Sequence, residues 1–232
     1  MKDLKKSKNR LLQTTLLVLV LGFIGLSALV FNFPASMIDL KISLKIQSSQ
    51  SLTLDHVMGF ISWFGTMPVS GIMIAVTALV FLLTGYRREA LFILLTAFSG
   101  LISTVIKVLI DRPRPTKDLV RIVEIARQQS FPSGHTLFYT IFFGFIIIVM
   151  GNLKSVYYPV RLTIIVCAAL MILLIPFSRI YLGAHWFTDV LGGAILGILC
   201  LSVLGYFYLP KKGEPEVVPE EPEIVKDIMK DI

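Results

Sequence analysis

Charge is scarce in this chain of 232 residues. Asp, Glu, Lys and Arg together make up 16% of it, where an ordinary soluble domain has about 25%. Cysteine is scarcer still. Cys167 and Cys200 both lie inside apolar runs, so they read as small buried side chains rather than a disulfide framework. Three histidines and no Cys/His cluster argue against a dedicated metal site. No internal repeat is visible. Ser133 stands outside any G-x-S-x-G pattern, which leaves a serine-hydrolase elbow unsupported.

Apolar residues are abundant: 55% of the chain is hydrophobic and the mean hydropathy is +0.80. That excludes a disordered chain and argues against a soluble globule. The formal charge of +7 invites a nucleic-acid reading, and the position of the charges removes it. Lys2, Lys5, Lys6, Lys8 and Arg10 crowd the start, where they suit membrane topology. Residues 210–232 carry four lysines against seven carboxylates, so the rest of the chain is more basic than the total suggests.

A bilayer-spanning helix needs about 20 apolar residues. The runs Leu11–Phe33, Val69–Gly85, Ala90–Ile110, Gly134–Met150, Leu162–Phe177 and Phe187–Leu209 supply six candidates. The first is too long for a signal-peptide core and lacks a small-x-small cleavage site. The fifth is the shortest and contains Pro176. Gly193 and Gly197 in the sixth form a small-xxx-small pair that predicts close helix packing. Between the first two spans, Leu54, Val57, Met58 and Ile61 share a helix face, and Ile38, Ile42 and Ile46 also fit helical spacing. Upstream, residues 40–47 alternate apolar and polar as a strand would, but an amphipathic helix on the membrane surface is preferred.

The expectation is therefore an all-α polytopic membrane protein: six transmembrane helices and an amphipathic surface segment between spans one and two. Its divisions are a basic cytoplasmic N-terminus (1–10), a six-span domain (11–209) and a Pro/Glu-rich cytoplasmic tail (210–232) expected to be disordered. The Lys/Arg bias places both termini in the cytoplasm of a plasma-membrane protein, although the basic cluster after span three opposes the rule. His56 is expected on the polar face of the surface helix without a catalytic role. Trp63 and Trp186 read as interfacial anchors.

Polar residues that should be costly at membrane depth gather at one set of span ends. Span three closes with Lys107 and runs on through Asp111, Arg112 and Arg114. Span four opens after Ser133, Gly134 and His135. Span five closes at Ser178-Arg179, and span six opens near His185 and Asp189. Alternating topology puts all of them on the same, outer side. Lys107, Arg114 and Arg179 suit a phosphate, and Ser133 with the N–H groups of Gly134 and His135 sits at a helix start, where anions bind. His185 and Asp189 stand at i, i+4, so a carboxylate can orient an imidazole and leave its other nitrogen nucleophilic. His135 is a second proton donor within the set. Each residue alone has a plainer reading: Lys107 snorkelling, Ser133 as an N-cap, His185–Asp189 as a structural hydrogen bond. Asp111 and Arg112 are left with a tuning role at most.

The pattern resembles the type 2 phosphatidic acid phosphatase family, whose signature is K-x6-RP, PSGH and SR-x5-H-x3-D. Here these are Lys107 to Arg114-Pro115, Pro132-Ser133-Gly134-His135, and Ser178-Arg179 to His185 to Asp189, all matched. The resemblance covers roughly residues 52 to 209, and the six-span layout is similar to the membrane lipid-phosphatase branch. It implies a membrane enzyme that hydrolyses a lipid phosphomonoester or diphosphate, such as phosphatidylglycerophosphate or undecaprenyl pyrophosphate. His185 would form a phosphohistidine, Asp189 would orient it, and His135 would serve the leaving group. Lys107, Arg114, Ser133, Gly134 and Arg179 would hold the phosphate oxygens, with no cofactor and no metal. A lipid phosphotransferase using the same residues, and a non-catalytic transporter or binding protein for anionic lipids, stay open as alternatives.

Overall fold

The computed structural model describes residues 2–34 and 36–209, without the side chains of residues 2–9 and of Leu12. The expected tail, 210–232, and most of the basic N-terminal side chains lie outside the described residues. Everything regular within them is helical: α1 (Lys2–Asn32), α2 (Met37–Ile46), α3 (Leu52–Trp63), α4 (Met67–Leu83), α5 (Arg87–Leu95), α6 (Phe98–Ile110), α7 (Gly134–Asn152), α8 (Tyr158–Tyr181) and α9 (Phe187–Tyr208). Five stretches are long and apolar enough to span a bilayer, α5 and α6 together making one of them. The pair α3–α4, bent by 52° at its break, passes the same test when its two helices are taken together, and counted as one span it brings the number to six.

The helix boundaries follow local chemistry. Ser36, Ser51 and Ser133 cap α2, α3 and α7 by accepting from the N–H groups of Ile38, Leu54 and Thr136. Prolines in the first turns of α4 and α8 lie where their missing N–H costs nothing. Asp111 ends α6 in the left-handed region at φ 47°, a conformation Asp tolerates better than most residues, and so turns the chain sharply into Arg112-Pro113-Arg114-Pro115.

Helix α7 occupies the centre. Of its most apolar stretch, 61% is buried inside the protein, against 6% for α1 and 11% for α8. Phe138, Tyr139, Phe142, Phe145 and Val149 of α7 pack with Ile61, Ile74, Ile93, Ile175 and Tyr208. Lipid is as apolar as these side chains, so close contact rather than escape from water must hold the helices together. The small-xxx-small expectation is realised here. A methyl on Gly193 would come within 2.6 Å of Ser133 O, and one on Gly197 within 2.6 Å of Thr140 Cβ.

The structure corrects several expectations. The fifth span is not short: α8 runs 24 residues and continues through Pro176 to Tyr181. The segment between spans one and two is helical rather than a strand, but its α2 buries the polar face. Asp39, Ser43 and Gln47 point inward, while Met37, Ile38 and Leu44 are exposed. Gln47 ties α2 down by donating to the carbonyls of Arg121 (2.8 Å) and Tyr181 (2.9 Å). Trp186 is no interfacial anchor. It is buried and caps α9, its backbone N–H bonded to Asp189. Trp63 is half-exposed, His56 is exposed on α3, and Cys167 is exposed on α8 rather than buried.

Candidate active site

Three cations reach one end of the bundle from three elements. Ser99, Ser103 and Lys107 line the buried face of α6 at four-residue spacing, and Lys107 closes that line from the last turn. Its ammonium donates to the carbonyls of Gln129 and Ser130. Arg114 follows the left-handed turn after α6. It donates through Nε to Gln128 O, through one terminal nitrogen to Ala184 O (2.5 Å), and through the other to Gln129 O (3.2 Å). Arg179 comes from the last turn of α8 and donates to Ser62 Oγ and to Glu124 Oε2 (2.7 Å). Its Nε is buried and has no partner.

The start of α7 faces these cations. The first N–H groups of a helix have no partner within it and carry the positive end of its dipole. Ser133 is fully buried. Its hydroxyl accepts from Thr136 N (3.4 Å) and Thr136 Oγ1 (3.1 Å), so it is an N-cap, with its own O–H still able to donate. Gly134 lies against the Ser103 hydroxyl, 3.1 Å from where a Cβ would stand, and Ser103 Oγ has no partner. His135 Nε2 is buried and unpartnered as well. The break between α3 and α4 lies on the His135 ring: a methyl on Gly65 would fall 2.3 Å from its Cδ2. Only a residue without a side chain fits there.

His185 sits in the turn between α8 and α9. Its Nε2 is 3.2 Å from an Arg114 nitrogen, so the imidazole lone pair meets an N–H there. Its Nδ1 faces Ser130 Oγ (3.5 Å) and Asp189 Oδ2 (3.6 Å). At that length the His185–Asp189 contact is electrostatic rather than a hydrogen bond. Asp189 Oδ2 instead accepts from Ser130 Oγ and from Trp186 N (2.8 Å). Burial, reinforced by the charges of Arg114, Arg179 and Lys107, holds the His185 pKa well below its usual value. A neutral imidazole with Nε2 turned to a cation cluster has the chemistry a nucleophile toward an anionic group requires. Burial and the neighbouring Arg179 lower the Arg114 pKa to about 10, which leaves it charged at neutral pH.

All eight residues expected at the site from the sequence therefore meet at one end of the bundle. Lys107, Arg114 and Arg179 act electrostatically on His185, Gly134 lies against Ser103 beside Lys107, and Ser133 N donates to Asp189 O (2.9 Å). Sequence reasoning did not find Ser62, Gly65, Glu124 and Ser130, which hold Arg179, His135 and Asp189. Ser103 carried a readable signal, because Ser99, Ser103 and Lys107 repeat every four residues in an otherwise apolar helix. The others, Ser62 near the end of α3, Gly65 at the α3–α4 break, and Glu124 and Ser130 in the loop after α6, follow no pattern of their own. Among the described residues, no group of three His, Cys, Asp or Glu stands together in a way that could hold a metal ion.

Residues 88–212 match the PAP2 superfamily. The chain is 28% identical over 168 residues to an Arabidopsis thaliana protein named lipid phosphate phosphatase delta, covering 69% of this chain and 40% of that one. It is 32% identical over 133 residues to phosphatidylglycerophosphatase B of Bacillus subtilis, covering 53% of this chain and 60% of that one. The chain thus spans less than two thirds of the length of either relative. The crystal structure of a transmembrane PAP2-type phosphatidylglycerolphosphate phosphatase from Bacillus subtilis superposes with a TM-score of 0.72 at 25% identity. It covers 86% of this chain and 98% of that one. Aquifex aeolicus LpxE shares the fold, with a TM-score of 0.55 at 21% identity over 76% of this chain and 97% of that one.

Proposed function

The chain belongs to the PAP2 superfamily, and from that premise we propose that it is a membrane lipid phosphatase working through a phosphohistidine. The observation that carries this reading is the meeting of a neutral His185 with three cations, beside two buried nitrogens that have no partner, Arg179 Nε and His135 Nε2. His185 Nε2 attacks phosphorus in line while the bond to the leaving oxygen breaks. Asp189 faces the opposite nitrogen and offsets the positive charge that develops on the ring. Lys107, Arg114 and Arg179, with Ser133 and the N–H groups of Gly134 and His135, take the non-bridging oxygens, where the charge of the transition state spreads. His135 delivers a proton to the leaving oxygen. It then takes one from water, whose oxygen displaces His185 from phosphorus and releases inorganic phosphate. The cations do the charge work in this scheme, so no metal is required.

The proposed substrates are lipid phosphomonoesters and diphosphates, phosphatidylglycerophosphate and undecaprenyl pyrophosphate among them. The names of the relatives support that class. An apolar groove of about 400 Å³ flanked by Phe92, Phe98, Ile102, Ile141 and Leu204 suits the tail of such a lipid: Ser99 in its wall lies about 12 Å along α6 from Lys107, within the reach of a hydrocarbon chain whose phosphate sits among the cations. A hydrocarbon chain lying there would enter sideways from the bilayer. With both termini in the cytoplasm of a plasma-membrane protein, the site opens on the outer side.

Phosphate release by the purified protein, over a panel of lipid phosphates, lipid diphosphates and soluble headgroup phosphates, tests this reading. Release from the lipids, little from the soluble compounds, insensitivity to EDTA and a fall of at least about 10³-fold in His185→Ala are expected. Turnover retained in His185→Ala would refute the nucleophile. Equal cleavage of soluble phosphates would refute the lipid assignment, and transfer to an added lipid alcohol in place of release would make the protein a phosphotransferase.

A further inference from the structure

Arg112 lies between Lys107 and Arg114, the two cations of the first motif, yet its surroundings differ from theirs. It has five N–H donors, and the protein takes all five. Nε donates to Pro34 O (3.1 Å). One terminal nitrogen donates to Thr188 Oγ1 (2.7 Å) and Asp189 Oδ1 (2.5 Å), and the other to Pro34 O (3.0 Å) and Asp39 Oδ2 (2.8 Å). The side chains of Arg112, Asp39 and Asp189 are completely buried. Asp39 also accepts from Thr188 N (2.8 Å) and from Thr188 Oγ1. A guanidinium with no free donor cannot bind substrate. It clamps the back of Asp189 while the front of that carboxylate faces His185.

Stability is a poor account of this arrangement. Burying three charges is costly, and apolar side chains of similar volume often do as well or better. The geometry has a catalytic consequence instead. With one carboxylate oxygen fixed by Arg112, the other is aimed at Ser130, Trp186 N and His185 Nδ1. One cation shared by two carboxylates leaves a net negative charge behind the imidazole. Asp39 is part of α2, outside the stretch 88–212 that matches the superfamily, so this part of the device is built by the chain's own N-terminal region.

We propose that Arg112 and Asp39 are positioning residues for the reaction: Arg112 fixes Asp189 toward His185, and Asp39, by sharing Arg112, sets how much positive charge Asp189 feels. The inference rests on His185 being the nucleophile. The groups facing His185 are Lys107 from α6, His135 from α7, Arg179 from α8 with Glu124 beside it, Arg114 and Ser130 from the loop, and Asp189 from α9. None of them changes in the variants below.

The test is the pH dependence of lipid-phosphate hydrolysis by purified Arg112→Met and Asp39→Asn, with thermal unfolding followed in the same detergent. Both should lose about 10- to 100-fold in kcat while KM stays within about threefold, because a misaimed group costs rate rather than binding. The acid limb of kcat/KM should move in opposite directions. Removing the Arg112 cation makes the surroundings of His185 more negative and raises the limb. Removing the Asp39 carboxylate lowers it. General loosening of the fold would not produce shifts of opposite sign. Arg112→Lys keeps the charge but not the fork, so its limb should stay in place while kcat falls. If Arg112→Met does not fold, Asp39→Asn and Arg112→Lys carry the comparison: a downward shift in the first and none in the second. Limbs that stay together, or a loss carried by KM, overturn the inference while His185→Ala remains inactive. An active His185→Ala overturns the nucleophile instead.

Discussion

At the end of the bundle far from the site, arginines close helices. Arg88 donates to the carbonyls of Phe207 (3.3 Å) and Tyr208 (2.8 Å) at the end of α9 and lies over the Tyr208 ring. Arg161 holds Met150 O (2.7 Å) and Gly151 O (3.1 Å) near the end of α7. Cations are welcome there, because helix C-termini carry partial negative charge and unpaired carbonyls. Tyr208 completes the cluster by donating to the buried Glu89 (3.0 Å). At the site end the N-termini of α7 and α9 meet the C-termini of α6 and α8, and Lys107 and Arg179, each in the last turn of its own helix, crowd with Arg114 so that like charges repel. That repulsion is offset only in part, by loop carbonyls and Glu124. The difference teaches how to tell a structural arginine from one held for an anion in lipid: the first is matched by the carbonyls that end a helix, and the second is opposed by the other cations beside it. An anion entering the site end would relieve the opposition.

Substitutions at the two ends should differ in kind. The largest effect is expected from Arg114→Ala, which removes the cation touching His185 Nε2. Steady-state hydrolysis should fall about 10²- to 10³-fold, while the thermal midpoint changes little or rises as like charges are relieved. Gly65→Ala should come next, because its methyl must displace the His135 ring. A loss of about 10- to 100-fold in kcat is expected, best seen as slower release of phosphate from the phosphoenzyme in rapid-quench experiments. A smaller effect concerns pH: because burial and three cations keep His185 neutral, wild-type kcat/KM should hold its value below pH 6.5 and fall only at more acid pH. The smallest effect belongs to the far end. Tyr208→Phe deletes the donor to Glu89 and should cost about 1 kcal/mol in thermal or denaturant unfolding, with hydrolysis unchanged. Lost activity in that variant would erase the distinction between the two ends.

Much of the site was legible because its residues stand at helix ends, where spacing translates into position. The four-residue spacing of His185 and Asp189 brought them together although His185 lies in the turn before α9 rather than on its face, and Lys107 lies four residues beyond Ser103 on the inner face of α6. What supports them was not legible. Ser62 reaches Arg179 across 117 residues, Tyr139 bonds to Ile61 O across 78, and Arg112 meets Asp39 across 73. No local pattern encodes such pairs. In α2 the reading failed for a physical reason. Hydrophobic periodicity locates the buried face only where the other face meets water. Against lipid and a polar loop the rule inverts, and the side that carries Asp39, Ser43 and Gln47 turns inward.

Sequence by itself determined the spans, the helical class and the three motifs, because each depends on composition or on spacing along a short stretch of chain: about 20 apolar residues to cross a bilayer, or a few residues across a helix end. Tertiary structure alone decided which arginine faces the imidazole and which is consumed in holding the carboxylate behind it. Arg112 and Arg114 stand two residues apart in the same motif. One lost every donor to Pro34, Asp39, Thr188 and Asp189, and the other was brought against His185. Both follow the left-handed turn at Asp111, and what parts them is the surroundings that other parts of the chain build: Pro34, Asp39 and Thr188 around one, Gln128, Ala184 and His185 around the other.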